Sequence, residues 1–501
     1  MKKLYLLAFA VIPFVGCKKF LEERSQYEII PKTTKQFSEI LYTEGMPGAN
    51  TRLQPYLTLM DDDVQAFNGE NLPSDADLTN SAPAYQWQPD FIELSKSSGG
   101  SVVSNGMDSW STYYKLLLGA NVAIQSLDGS QGDLKDKIQF KGEAFAARAF
   151  YHFMLVNLFA MPYNDSTTTP DKLQGIPLRL DANLSDDSPQ RSSVKAVYDQ
   201  VIADLDSSIQ LLEQQKLKLP TFRMSYLGAE LLASRVNLYM EKWNKVIEHA
   251  SVVINRHPQL QDFTQWNPIP DPNAPAVLPF ISPDNPETIW YFGSVYEQQP
   301  AGMSVAYDVS FDYISILEPG DLRGQQTYIG EVPEIFKPYA LTPYYQLKNV
   351  GTSPQMMMGC AWRSAEAYLN RAEAYIQLYR TTGNTEAAQK GLDDLNKLRA
   401  SRWDKTKFVP WTIRPADELL QMCRLERRRE LFMECGHRWF DLRRYGMPAI
   451  THSYMPTKTT TEYYQLKKRD PQYVIPIANE VLEKNRSLGQ NVTIGSRRMP
   501  N

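Results

Sequence analysis

Histidine and cysteine are scarce in this chain, five and four in 501 residues, and their scarcity removes several classes of chemistry. None of His152, His249, His257, His437 and His452 sits in an HExxH pattern, so a zinc protease of that type is excluded. The GxSxG elbow, the GxGxxG fingerprint and the GxxxxGK(S/T) loop are missing too, which leaves serine-hydrolase and nucleotide-binding folds without sequence support. Cys360, Cys423 and Cys435 are an odd number with no CxxC spacing, which reads as free thiols packed as small hydrophobes and not as a disulfide framework or a zinc site. Positive charge is not in excess. The net charge of −4 becomes about −6 without Lys2 and Lys3, a sign that repels polyphosphate, so nucleic acid is not an expected partner. Long apolar runs are lacking beyond the N-terminus: the best, Phe153 to Met161, contains Asn157 and stops at Pro162, short of the roughly 20 residues a bilayer requires.

The N-terminus itself is informative. Lys2 and Lys3 precede an uncharged apolar run from Leu4 to Val15 that ends in Gly16-Cys17, the pattern of a secretory leader with a bacterial lipobox. Residues 1–16 are therefore expected to be a removed signal peptide and Cys17 a lipid-attachment site, anchoring a water-soluble body. The residues that follow, 18 to about 45, read as a polar lead-in draped over that body.

From Trp110 onward the apolar residues recur at three and four. Trp110, Tyr113, Tyr114, Leu117, Leu118, Asn121 and Ile124 trace one face of a helix. Further helices are expected over Leu134 to Phe159, Ser193 to Leu212, Met224 to Met240, Trp243 to Ile254, Arg363 to Tyr379, Glu386 to Ala400 and Ala416 to Met433. Small residues at Ala229, Ala233 and Ala250, with Trp243, Val246 and Pro258, resemble a tetratricopeptide-type helix pair, and 109–160 and 363–400 are candidates for further pairs. The expected fold is thus mainly α: a tetratricopeptide-like helical-repeat scaffold over about 109–255 and 361–445, with long irregular loops at about 46–108 and 256–360 and a few short strands. The second loop region holds fourteen of the 33 prolines, a density that ends helices and sheets alike.

Two charged segments invite a functional reading. Asp61-Asp62-Asp63 could supply oxygen ligands to calcium but lacks the EF-hand spacing, and a solvated acidic turn is the preferred reading. In Glu426 to Arg444, Glu426, Glu430 and Glu434 alternate with Arg427, Arg428 and Arg429 at helical spacing, which predicts interleaved ion pairs and a structural role.

That same segment, ERRRELFMECGHRWFDLRR, resembles the C-terminal signature of RagB/SusD outer-membrane lipoproteins, ERRxEL followed by E-G-x-R-x-x-D-L-x-R, with Cys435 inserted between Glu434 and Gly436. RSAEAYLNRAEAY from Arg363, GEAFAARAFYHFMLVNLFAMPY from Gly142 and VIPIANEVLEKNRSLGQN from Val474 resemble other blocks of the family, in the right order. The resemblance implies one domain from residue 17 to 501 with a tetratricopeptide-like scaffold, an outer-membrane location with the body facing the cell exterior, and binding without catalysis or cofactor. It also implies a partner, a SusC-like TonB-dependent outer-membrane transporter over which the protein sits as a lid. The expected ligand is an oligosaccharide or polysaccharide; a peptide is the alternative within the family, and a glycoside hydrolase with two spaced carboxylates is the alternative outside it.

The ligand site is expected on the loops, because the scaffold motifs account for the helices and leave the loops unexplained. Trp110, Trp243, Trp362, Trp403 and Trp439 fall in or beside helices, and Trp290 in an apolar run, so these read as core. Trp87 and Trp266, with Tyr85 and Tyr296 beside them, are the expected ring platforms for sugar; Trp411 is a weaker candidate, and Asn68 and Asp90 could bond hydroxyls.

Overall fold

The computed structural model describes residues 31–66, 75–97, 107–183, 189–215, 217, 219–266, 279–297, 307–324, 327–331, 344–348, 358–457 and 459–501. Cys17, the 1–16 leader and Asn68 lie outside these residues. Helices dominate what is described, and strands are few, short and paired two by two.

The described part of the lead-in contains α1, Thr34–Glu44. Its start is fixed by a capping box: the Thr33 hydroxyl accepts from the Gln36 N–H at 3.2 Å, and Gln36 Oε1 accepts from the Thr33 N–H at 3.0 Å. Region 46–108, expected as loop, also holds helices: α2 (Leu57–Met60), α3 (Asp75–Tyr85) and α4 (Phe91–Ser97), with the short strand β1 (Val64–Ala66) between α2 and α3.

The scaffold follows the expected spans closely. Helices α5 (Ser109–Ser126), α6 (Leu134–Phe159), α7 (Val194–Gln215), α8 (Tyr226–Tyr239) and α9 (Trp243–Arg256) pack each against the next, so the sequence of the stack is the sequence of the chain. Close approach needs small residues. A Cβ on Gly119 of α5 would come within 2.5 Å of the Glu44 backbone, and one on Gly142 of α6 within 2.7 Å of Leu212 in α7.

From Gly142 onward α6 is enclosed on nearly all sides, as expected of a helix apolar around most of its circumference. Its polar side chains are satisfied locally. Arg148 makes a bidentate pair with Asp204 of α7 at 2.6 and 2.8 Å, and Asn157 Nδ2 donates to the Tyr198 hydroxyl at 3.0 Å.

Between α9 and the next scaffold helix the chain leaves the stack and returns. Strands β2 (Thr288–Phe292), β3 (Tyr307–Val309), β4 (Ile329–Glu331), β5 (Tyr344–Gln346) and β6 (Cys360–Arg363), with the short α10 (Phe311–Ser315), lie in this excursion. β3 pairs with β1, β5 with β4 and β6 with β2, all antiparallel. The β2–β6 ribbon is welded to the scaffold by rings: Phe150 of α6 meets Trp290, Phe292 and Trp362 edge-on at 5.1–5.8 Å. Then α11 (Ser364–Thr382) returns to pack on α9, and α12 (Thr385–Ala400) and α13 (Ala416–Glu430) pack on α11. Gly383, at φ +73, ends α11 in the left-handed conformation that favours glycine. The tail adds α14 (His437–Arg444), the hairpin β7–β8 (Ile450–Thr457, Thr460–Leu466) and α15 (Asn479–Lys484). No helix among the described residues is long and apolar enough to cross a membrane.

The thiol reading needs correction: Cys360, at the start of β6, and Cys435, in the turn after α13, form a disulfide across 75 residues of sequence, and of the three cysteines among the described residues Cys423 is the free one, and it is buried. The pair is set by tertiary approach, with Cα atoms 5.9 Å apart, so no local spacing announces it. A bond of this kind suits an oxidising compartment.

Candidate ligand-binding site

The four expected ring residues are not brought together. Tyr85 and Trp87 sandwich His452 of β7, with ring centroids 4.1 and 4.0 Å away, and all three side chains are buried. Trp87 Nε1 donates to the Met60 carbonyl at 2.9 Å, and the Tyr85 hydroxyl donates to the Ser453 carbonyl at 3.0 Å. Fully enclosed rings offer no face to a sugar, so Tyr85 and Trp87 are core residues, contrary to expectation. Burial also pushes the His452 pKa down to about 4.

Trp266 and Tyr296 differ from that pair. Both are half-buried. Trp266 leans on Phe263 and Phe280 at 5.5 and 5.3 Å, at the margin of a satellite apolar cluster, while Tyr296 carries the Arg52 guanidinium 4.3 Å above its ring. Trp411 is likewise capped by Arg399 at 3.8 Å, and Asp90 pairs with Arg497 at 3.0 Å. Among the described residues no ring contact joins Trp266 to Tyr296.

The acidic triplet is not a solvated turn. Asp61 and Asp63 are buried; Asp62 binds Arg438 at 2.6 and 2.8 Å, and Asp63 binds Arg428 at 2.7 Å. Burial opposes ionisation of Asp62, but the Arg438 bonds outweigh it and hold its pKa down to about 2. The triplet therefore ties the 46–66 segment to the signature region.

The signature carboxylates reach much further than helical spacing suggested. Glu430 accepts from Arg402 at 2.9 Å through both oxygens, from Arg363 at 2.9 Å, from Arg323 at 3.2 Å and from the Tyr328 hydroxyl at 3.0 Å. Glu434 takes Arg363 and Lys348, Glu287 takes Arg363 and Arg402, and Glu426 takes Arg323 at 2.8 Å. These groups are essentially inaccessible to solvent. Burial would raise the Glu430 pKa, yet Arg402, Arg363 and Arg323 together hold it well below the carboxylate range. Of the i, i+3 or i+4 pairs expected within α13, Arg429–Glu426 at 3.2 Å is the one formed. Carboxylates held this way brace the β2–β6 ribbon against α13; they are committed to structure and not to acid–base chemistry.

A surface concavity of about 370 Å³, lined by none of the four expected ring residues, lies between α5, the residues Pro177, Arg179 and Pro189, and α15. Tyr114, Ser111 and the edge of Trp110 form one wall, and Arg179, Glu480, Lys484 and Asn485 supply polar groups. Trp110 and Tyr114 sit at core spacing on α5, which hid their part in a pocket wall. Nothing in the sequence joins α5 to Glu480 and Lys484 of α15, which tertiary structure brings to the same rim.

A family model described as "Starch-binding associating with outer membrane" matches residues 20–238, and a SusD family model matches residues 288–493. No curated protein sequence matches the chain. A SusD superfamily protein of Bacteroides thetaiotaomicron superposes with a TM-score of 0.68 at 22% identity, covering 92% of this chain and all of its own. A SusD-like carbohydrate binding protein of Bacteroides vulgatus gives 0.67 at 18%, covering 91% and 97%, and a laminarin binding SusD-like protein 0.60 at 19%, covering 91% and 98%. At these identities the superpositions speak to fold, and the two family models, which between them span most of the sequence, place the chain in the SusD/RagB family.

Proposed function

We propose that this protein captures an oligosaccharide or polysaccharide at the outer-membrane surface and delivers it to a TonB-dependent transporter. The observation that carries the reading is the match of residues 20–238 to the starch-binding, outer-membrane-associating family model. Solved relatives described as carbohydrate binding and laminarin binding support it. The lipid anchor at Cys17, the outward facing and the continuity of residues 17–501 as one domain belong to the same proposal.

Of the residues expected to meet ligand, Trp266 and Tyr296 keep partly open rings, and these are the ones we assign to sugar contact. A flat ring lies against the apolar C–H face of a pyranose while polar neighbours take its hydroxyls; at Tyr296 the neighbour is Arg52. Ring stacking is worth about 0.5–1.5 kcal/mol beyond burial, so loss of one ring weakens binding by roughly two- to tenfold. Titrating a bound glycan into Trp266→Ala and Tyr296→Ala by calorimetry tests the assignment. Weaker binding at an unchanged melting temperature is expected; wild-type affinity in both variants rejects these residues as platforms.

A further inference from the structure

Arginine is usually buried only when paired, and Arg443 is an exception. It is 3% exposed, in the last turn of α14, and makes no salt bridge among the described residues. One of its nitrogens, Nη2, donates to the Ala160 carbonyl, whereas Nε and Nη1 have no partner. Three tyrosines, Tyr198, Tyr239 and Tyr473, are the groups of opposite potential charge near it, and burial lowers its pKa to about 10.

Arg443 lines a pocket of about 250 Å³ formed by the turn after α6 (Pro162, Asn164, Asp165, Ser166), Arg424 of α13, the end of α14 with its following turn (Arg444–Met447), and Arg469. Four arginines and one carboxylate residue line it. Asp165 is taken by Arg469 at 2.6 Å, and Arg444 by Glu373 at 2.6 and 2.7 Å and Asp441 at 2.8 Å. Arg424 is left, like Arg443, without a salt bridge among the described residues; its Nε is buried and unpartnered, and its guanidinium stacks on the Tyr445 ring at 4.0 Å. An unpaired buried charge is expensive; Arg443 is one, half-buried Arg424 adds a second guanidinium without a carboxylate partner, and both line the same small pocket, which gives it a positive field suited to negative charge.

We propose that this pocket binds a small oxyanion, carboxylate, sulfate or phosphate, held by Arg443 and Arg424. It shares no lining residue with Trp266 or Tyr296, so the inference stands apart from the glycan reading. The oxyanion is either free in solution or carried on an acidic sugar, and the chemistry of the cradle is the same for both.

Calorimetric titration of the purified full chain with inorganic sulfate, inorganic phosphate, acetate and glucuronate at constant ionic strength tests this. Saturable binding of at least one probe is expected. Arg443→Met, which replaces the charge with an apolar chain of similar length, weakens it roughly ten- to a hundredfold, as does Arg424→Gln at a half-buried site. Exchange of the exposed Lys390, as Lys390→Gln, leaves it unchanged. Glucuronate bound more tightly than acetate assigns a sugar-borne acid; sulfate or phosphate bound without glucuronate assigns a free ion. No saturable binding of any probe, or undiminished affinity in Arg424→Gln, overturns the proposal.

Discussion

Replacing Glu430 with glutamine probes the most heavily connected charge in the molecule. The exchange keeps shape and removes one negative charge from a site where Arg402, Arg363 and Arg323 all donate to it out of contact with water. Breaking a buried pair by neutralising one partner costs about 3–5 kcal/mol, chiefly because the remaining charge stays desolvated. Unfolding entropy of about 2.1 cal/mol/K per residue over 501 residues gives about 1 kcal/mol/K, so the expected fall in melting temperature is about 3–5 °C if the chain unfolds as one unit. Differential scanning calorimetry of Glu430→Gln against wild type measures it, with Glu386→Gln as the control, since Glu386 pairs with Lys390 on an exposed face and such pairs contribute little. A melting temperature within 1 °C of wild type for Glu430→Gln would refute the view that this network braces the fold.

Other outcomes follow from the same geometry. His152 is buried, and its Nε2 accepts the Arg179 N–H at 3.3 Å, so the ring is held neutral and burial pushes its pKa down to about 3. The unfolded chain then binds the proton first, near pH 6.5. Stability therefore falls as pH drops from about 6.5 towards 3, by a total on the order of 4–5 kcal/mol, and urea titrations at pH 7 and pH 5 should show His152→Gln losing part of that slope. Trp87→Ala, which empties the site between Met60 and His452, costs about 3–5 kcal/mol in chemical denaturation; an unchanged transition would return Trp87 to the surface. Cys17→Ala abolishes labelling by a fatty-acid analogue in cells, and retained label would remove the anchor.

The scaffold was legible because helical periodicity is local: α6 was expected over Leu134 to Phe159 and spans those residues, set by runs of alanine and aromatics that need no distant partner. α3 was hidden by Pro83 near its C-terminal end and by its Asp, Asn, Ser and Thr content. The alternation of buried and exposed residues at the start of β7 was present in the sequence, but Thr451, His452 and Ser453 mask it because a buried histidine does not look apolar. The site was least legible. Trp87 looked like an exposed loop ring because His452 and Met60, which enclose it, are brought in by tertiary structure, and Cys360 meets Cys435 for the same reason. The ionic bracing was misread as local, since Arg323, Arg363 and Arg402 arrive from three separate segments to meet Glu430. Family motifs such as ERRREL were recognisable, yet they describe how the scaffold is held and carry no information about the ligand.

Glycan capture is tested by affinity electrophoresis of the purified protein through gels containing starch, laminarin and other neutral polysaccharides, beside calorimetry with a mixture of oligopeptides. Saturable retardation by at least one polysaccharide and no heat with the peptides are expected; binding of peptides with no retardation by any glycan would overturn glycan capture.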